Sequence, residues 1–212
     1  SPGMRDGVIR TGYRPGKVSI IPNSSDLDLF DSEKADGKAF RIAHPELMNS
    51  PLAIYIGTIG QINGVDYLPR IAAAALHQGM NLKFVVVGNG QQKQTVLKEA
   101  EKQGVLGENF YIYPPVPKDE VPDILASADF ALSLFVDLEA MWANSANKFF
   151  DALASGTPVA INYGGWQAEL LKETGAGLIL PPNEPNEAAF RLKNFMNNPK
   201  RMREAGSSAR RL

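Results

Sequence analysis

The 212-residue chain contains no cysteine, which removes disulfides, thiolate chemistry and cysteine-based zinc sites and suits a reducing compartment. Histidine is almost as scarce. With only His44 and His77 present, histidine-rich metal centres are excluded, and both read as surface or packing residues, His44 before a proline and His77 inside an expected helix. Neither sign of charge dominates: 22 Lys and Arg stand against 23 Asp and Glu, for a net charge of -1. The balance supplies no electrostatic reason to expect nucleic acid or an anionic bilayer as a partner. No apolar run approaches the ~20 residues of a membrane span. What remains, with 44% apolar residues, is the composition of a soluble globular protein long enough to bury a sizeable core.

Strand-like apolar runs alternate with helix-like segments, the pattern of a parallel sheet covered on both faces. The candidate strands are Val18 to Ile21, Leu52 to Ile56, Leu82 to Val87, Phe110 to Tyr113, Phe130 to Leu134, Val159 to Ile161 and Leu178 to Leu180. Leu68, Ile71, Ala72, Ala75 and Leu76 follow the spacing of a helix buried on one side. Further helices are expected at about 91–103, 118–127, 165–174, 185–197 and 199–211, the last two separated by Asn198-Pro199. The polar stretch from Asp31 to Gly37 reads as a flexible connection before the main sheet. Ser1 is not an initiator methionine, and Arg210 to Leu212 stop inside a helix-forming segment. The chain is therefore expected to be a fragment of a longer protein.

The most informative stretch is 144–159, where a short helix from about Ala146 to Ala154 is expected, capped by Ser145, closed by Gly156 and stopped by Pro158. A helix start exposes unpaired N–H groups and a partial positive charge, and Lys148 in the first turn adds a full one, so a phosphate fits there. Asp151 lies one turn along, where a carboxylate accepts hydrogen bonds from vicinal sugar hydroxyls. The competing reading is an exposed ion pair between Lys148 and Asp151 on an ordinary amphipathic helix. Gly57, Gly60 and Gly64 punctuate the turn after the Leu52 to Ile56 strand. They serve either a tight turn or a loop that aims N–H groups at a diphosphate; the spacing is neither Walker A nor Gly-x-Gly-x-x-Gly. Gly88-Asn89-Gly90 and Tyr113-Pro114-Pro115-Val116 each follow a strand at the carboxyl edge where open parallel sheets bind ligands. Trp166, after Gly164-Gly165, either stacks on a sugar or caps the core.

One ordered series of segments joins these features. It runs through Ile21-Pro22-Asn23-Ser24-Ser25-Asp26 with Phe30, Tyr55-Ile56-Gly57-Thr58-Ile59-Gly60, Val87-Gly88-Asn89-Gly90, Ala128-Asp129, Asn147 to Val159 and Gly175-Ala176-Gly177-Leu178. The series resembles, over nearly the whole chain, the carboxyl-terminal half of family 4 retaining glycosyltransferases. Within that family it is most similar to the bacterial branch that builds surface polysaccharides. The resemblance implies an α/β fold, a Rossmann-like doubly wound parallel sheet with helices on both faces, forming the second half of a GT-B enzyme. Residues 1–212 would be one donor-binding domain, with 1–40 including the interdomain connection and the amino-terminal acceptor domain absent.

The resemblance also implies a reaction: transfer of a sugar from a nucleoside diphosphate to a glycan or lipid-linked acceptor with retention, of hexosyltransferase type, the fragment alone being inactive. The implied donor-binding residues are Gly57, Thr58, Ile59, Gly60, Gly88, Tyr113, Pro115, Val116, Ser145, Asn147, Lys148 and Asp151. Lys148 would stabilise the departing diphosphate, the N–H groups of the 57–60 loop assisting it. No metal and no cofactor is implied; the substrate is a nucleotide sugar, with a UDP-sugar favoured. The family places a Glu-x7-Glu pair around the donor. Asp151 stands where the second acid does, and Ala143 stands where the first does, leaving Glu139, Asn144 or Ser145 as substitutes. Thr58 and Asn63 occupy places where many members carry Arg and Lys. The expected location is cytoplasmic, with peripheral contact at the inner membrane face only through the full-length enzyme. A GT-B sugar-nucleotide epimerase, a phosphorylase-like enzyme for which no pyridoxal-lysine context exists, and a non-catalytic nucleotide-binding or interaction domain are the alternatives.

Overall fold

The computed structural model describes residues 1–47 and 49–212. Six of the apolar runs become strands: β1 (Leu52–Ile56), β2 (Lys83–Val87), β3 (Phe110–Tyr113), β4 (Phe130–Ser133), β5 (Val159–Ile161) and β6 (Gly177–Ile179). They pair in parallel in the order β3-β2-β1-β4-β5-β6, with Ala53 opposite both Phe84 and Phe130 at the centre of the sheet. The helices of the described residues are α1 (Pro2–Arg10), α2 (Gly37–Ala43), α3 (Tyr67–His77), α4 (Lys93–Lys102), α5 (Val121–Ala126), α6 (Asn147–Ala154), α7 (Trp166–Thr174), α8 (Pro185–Met196) and α9 (Pro199–Ala209).

Side chains alternate across each strand, so both faces of the sheet are apolar and both are covered. Ala53, Tyr55, Phe84, Val86, Phe130 and Leu132 belong to the core shared with Leu68, Ile71 and Ala75 of α3 and Leu192 and Phe195 of α8. Leu52, Ile54, Val85 and Val87 pack on the other face with Ile124 of α5 and Phe40 of α2. Ala131, Val159 and Ile161 continue that face against Phe149, Ala152 and Leu153 of α6. The stripe on α3 is thus buried as its spacing requires.

Two expectations fail before β1. Val18 to Ile21 forms no strand, and Ile21 is 87% exposed. Its β-branched residues favour extended backbone, but a strand also needs an edge to pair with, and none lies beside it. The 31–37 stretch, expected as a flexible connection, is an ordered turn: Asp31 accepts from the Glu33 amide at 3.0 Å and Asp36 caps α2 through the Lys38 amide at 2.9 Å. Short carboxylates that bond their own backbone two residues on hold such turns, and polarity alone does not distinguish them from a loose linker.

The topology also marks a place for a ligand. The chain leaves β1 toward β2 and β3, then returns to β4 on β1's other side. Loops after β1 and β4 therefore diverge, opening a crevice at the carboxyl ends of the central strands.

Candidate functional site

The β1 and β2 turns are packed directly on one another at that edge. The Gly57 amide donates to the Val87 carbonyl at 2.9 Å, and the Ile59 amide to the Asn89 carbonyl at 2.9 Å. A Cβ on Gly88 would lie 2.0 Å from the Gly57 carbonyl oxygen, so contact between the two backbones requires glycine there. Gly60 donates to Asn63 Oδ1 at 3.2 Å. Of the four amides from 57 to 60 assigned to a diphosphate, only that of Thr58 lacks a partner among the described residues. Two of the other three join this loop to the one after β2, and the third bonds within its own loop. The Ile59 side chain is fully buried in the main core, which leaves only its backbone at the loop surface.

Helix α6 begins opposite this loop. Ser145 is not its cap: Ala146 holds the N-cap position without a side-chain bond, and Ser145 Oγ instead accepts from the Asn23 amide at 3.3 Å. The helix starts one residue later than its sequence suggested, because Asn144 Oδ1 bonds the Ala146 amide at 3.2 Å and holds that turn open. The amides of Asn147 and Lys148 have no partner among the described residues. A free helix start thus faces the crevice.

Lys148 reaches from this first turn toward the glycine loop. Its Nζ lies 4.9 Å from the centre of the Tyr55 ring and 5.6 Å from that of Phe135, and about 4.0 Å from where a Gly57 Cβ would stand. It makes no ion pair or hydrogen bond among the described residues, which excludes the Lys148–Asp151 pair considered from spacing. Burial against the two rings pulls its ammonium down to about 8. Asp151, one turn on, accepts from Ser25 Oγ at 2.7 Å. Burial pushes its carboxyl up, while the Ser25 bond and the Lys118 charge act the other way.

Between these groups lies a cavity of about 270 Å³, floored by Ile54 and Leu125, with Val116 and Lys118 to one side and Asn147, Lys148 and Asp151 to the other. Its floor is apolar, and its polar groups are Lys118 on one side and three residues of α6 on the other, as in a cleft that holds a ring and orients it by a few hydrogen bonds. Of the residues expected at the site, the structure brings Val116, Asn147, Lys148 and Asp151 together, with Gly57 at the tip of Lys148. Pro115 is exposed and Tyr113 is turned away. The Tyr113 hydroxyl donates to the Glu46 carboxylate, its ring packs 4.0 Å from that of His44, and its carbonyl accepts from the Gly88 amide at 3.1 Å. Lys118, Ser25 and Asn23 were not singled out in sequence for this site, and only the cross-chain contacts reveal them.

Among the described residues no second acid joins Asp151 at the cavity. Ala143 lies under α1, its carbonyl accepting from Ser1 Oγ and its Cβ 2.9 Å from where a Gly3 Cβ would stand. Glu139 is exposed, Asn144 bonds the Met141 carbonyl at 2.7 Å and Ser145 meets Asn23. Trp166 caps the core, donating to the Asn144 carbonyl at 2.8 Å and lying 6.0 Å from Phe150 ring to ring. Among the described residues no cluster of three or more His, Asp or Glu can hold a metal ion, and no helix is long and apolar enough to cross a membrane.

The profile of the family described as "Glycosyl transferases group 1" matches residues 37–212. The chain belongs to the group 1 glycosyl transferases. As a group 1 domain it is 23% identical over 184 residues to the 2-deoxystreptamine glucosyltransferase of Streptomyces kanamyceticus, covering 86% of this chain and 46% of the relative. A D-inositol 3-phosphate glycosyltransferase of Streptosporangium roseum is 23% identical over 201 residues, covering 89% of this chain and 43% of that protein. The chain thus spans about half the length of the curated relatives it matches. Among solved structures, Anabaena HepE in complex with UDP and glucose superposes with a TM-score of 0.79 at 20% identity, over 100% of this chain and 56% of HepE. WaaG, a glycosyltransferase involved in lipopolysaccharide biosynthesis, gives 0.75 at 19% identity, over 94% of this chain and 53% of WaaG. The fold is that of GT-B glycosyltransferases, a Rossmann-like parallel sheet with helices on both sides.

Proposed function

We propose that the chain is the donor-binding half of a family 4 retaining glycosyltransferase of the surface-polysaccharide branch. The observation that carries this reading is the ammonium of Lys148, without a counter-ion, beside Gly57 and the free start of α6, at the mouth of a cavity that also holds Asp151. A buried cation with no anion of its own in the protein is a receptor for one from outside. The diphosphate of a nucleotide sugar supplies two negative charges there, the Thr58, Asn147 and Lys148 amides add donors, and Asp151 takes the ribose hydroxyls. The base enters between Val116 and the apolar floor. A UDP-sugar is the favoured donor, in keeping with the UDP-bound state of HepE.

In the transfer step the sugar–phosphate bond lengthens, and negative charge gathers on the departing diphosphate. Lys148 meets that charge in a partly dehydrated cleft, where a fixed cation lowers the barrier more than it would in water. The hexosyl group passes with retention to a glycan or lipid-linked hydroxyl held by a preceding amino-terminal domain, residues 1–40 including the connection to it. No cofactor or metal enters this scheme. The enzyme works in the cytoplasm, where nucleotide sugars are made, and any contact with the inner membrane face is made by the full-length protein.

Calorimetry with UDP, GDP and ADP tests the reading. UDP binds with Lys148→Ala weakening it by about 10- to 100-fold and Asp151→Ala by about 10-fold, the loss typical of a charge-assisted contact. Absence of binding by all three nucleotides to the folded chain refutes it.

A further inference from the structure

The contact to Asp151 comes from a distant part of the chain. Ser25 lies 126 residues before Asp151, and its hydroxyl donates to Oδ1 at 2.7 Å in a partly buried setting. Two residues earlier, the Asn23 side chain donates both to the Ser145 carbonyl at 2.5 Å and to Asn147 Oδ1 at 2.7 Å. Its backbone amide adds the bond to Ser145 Oγ. The segment 23–25 has no secondary structure of its own. All four of these bonds end on the start of α6 or on its acid.

We propose that Ser25 and Asn23 are positioning residues of the donor site, a strap that orients Asp151 and Asn147 across the mouth of the cavity. This inference rests on the nucleotide reading of the cavity. A carboxylate that grips a vicinal diol uses both oxygens in one plane. An unrestrained Asp151 rotates about two side-chain torsions and has no other hydrogen-bond partner among the described residues; the Ser25 hydroxyl pins Oδ1 and so fixes the plane of the carboxylate. Asn23 uses both amide hydrogens on the loop that α6 grows from, and so sets the position of a helix start that has no side-chain cap.

The bond also bears on ionisation. Burial favours the neutral carboxyl of Asp151, and the Ser25 hydroxyl favours the charged one. Lys118 and Lys148 line the same cavity as Asp151, and of the two it is Lys118 whose charge bears on the carboxyl. Asp26, next to Ser25, turns its carboxylate onto the amides of Asp28 and Leu29, and Arg210 after α9 faces Asp31 and Glu33. Neither neighbour replaces the Ser25 hydroxyl.

The test has two readouts on the full chain. Carbon-13 NMR follows the Asp151 side-chain carboxyl against pH in the ligand-free protein, and calorimetry measures UDP affinity at pH 7. Ser25→Ala moves the Asp151 titration to higher pH and weakens UDP by about 3- to 10-fold, and Ser25→Thr, which keeps a hydroxyl, restores both. An unchanged titration in Ser25→Ala, with the fold intact by circular dichroism, overturns the inference. If Asp151→Asn weakens UDP while Ser25→Ala leaves affinity and titration alone, the strap is wrong and the nucleotide site stands. If UDP does not bind at all, the nucleotide reading falls, and the ligand-free titration alone decides whether Ser25 positions the acid.

Discussion

Lys148 joins a deeply packed stem to a charge that no other described residue balances. Its ammonium sits at about 8 when folded, against an ordinary 10.5, so the unfolded chain holds this proton more tightly than the folded one. Folding stability gained from this residue therefore rises with pH from about 8 to 10.5 and is lowest at neutral pH. Lys148→Met should stabilise the chain at pH 7 by about 1–2 kcal/mol, a figure reduced for the partial exposure of the side chain. Urea denaturation of the two proteins checks it. The same residue predicts the alkaline limb of nucleotide affinity. Above pH 8 a proton must be taken up with each diphosphate, so UDP affinity falls as pH rises and Lys148→Ala removes that dependence. Calorimetry between pH 7 and 9.5 shows the limb or its absence. Both expectations follow from desolvation of one charge, which the i, i+3 spacing to Asp151 did not disclose. An exposed ion pair and a buried, unpaired cation have the same sequence, and the difference lies in Tyr55 on β1 and Phe135 in the loop after β4.

The elements that build the site are short. α6 has no capping side chain of its own, and the loops after β1 and β2 are held by bonds to each other more than by any helix. Glycine at 88 is the condition for that contact. Gly88→Ala would set a methyl carbon 2.0 Å from the Gly57 carbonyl, and the two turns would have to part. A loss of about 2–4 kcal/mol in chemical denaturation is expected, together with weaker UDP binding, because Gly57 moves away from Lys148. A variant as stable as the parent would show that the loops yield independently. The glycines were conspicuous in the sequence, but their purpose was not. They read as donors for a diphosphate, whereas two of the four amides from 57 to 60 join two loops and a third bonds Asn63. Tyr113 was misplaced for a related reason. A tyrosine at the carboxyl end of a strand can turn either way, and Phe40 of α2 and His44 just after it pack on its ring.

At the scale of the whole molecule, this chain corresponds to about half the length of the relatives it resembles. Purified residues 1–212 should bind UDP yet transfer no sugar from a UDP-sugar to an acceptor, as followed by UDP release; clear turnover would mean that the domain carries its own acceptor site. Asp151 stands without a second acid at the cavity, and Ala143, where one is expected, is covered by α1. The sequence by itself determined the class of fold, the helices after β1 and the six strands, though it also offered a seventh at Val18 to Ile21 that does not form. Apolar runs and helical stripes are local consequences of burying both faces of a sheet, and each needs only its own residues to be read. The tertiary structure alone decided which polar groups meet. Ser25 on Asp151, Gly88 on Gly57 and Lys148 between two rings are contacts between segments 13 to 126 residues apart. Such contacts depend on strand order and crossover, which no local spacing contains. The ammonium proposed to receive an anion is of that kind, a charge that no described residue balances where the strands have brought it.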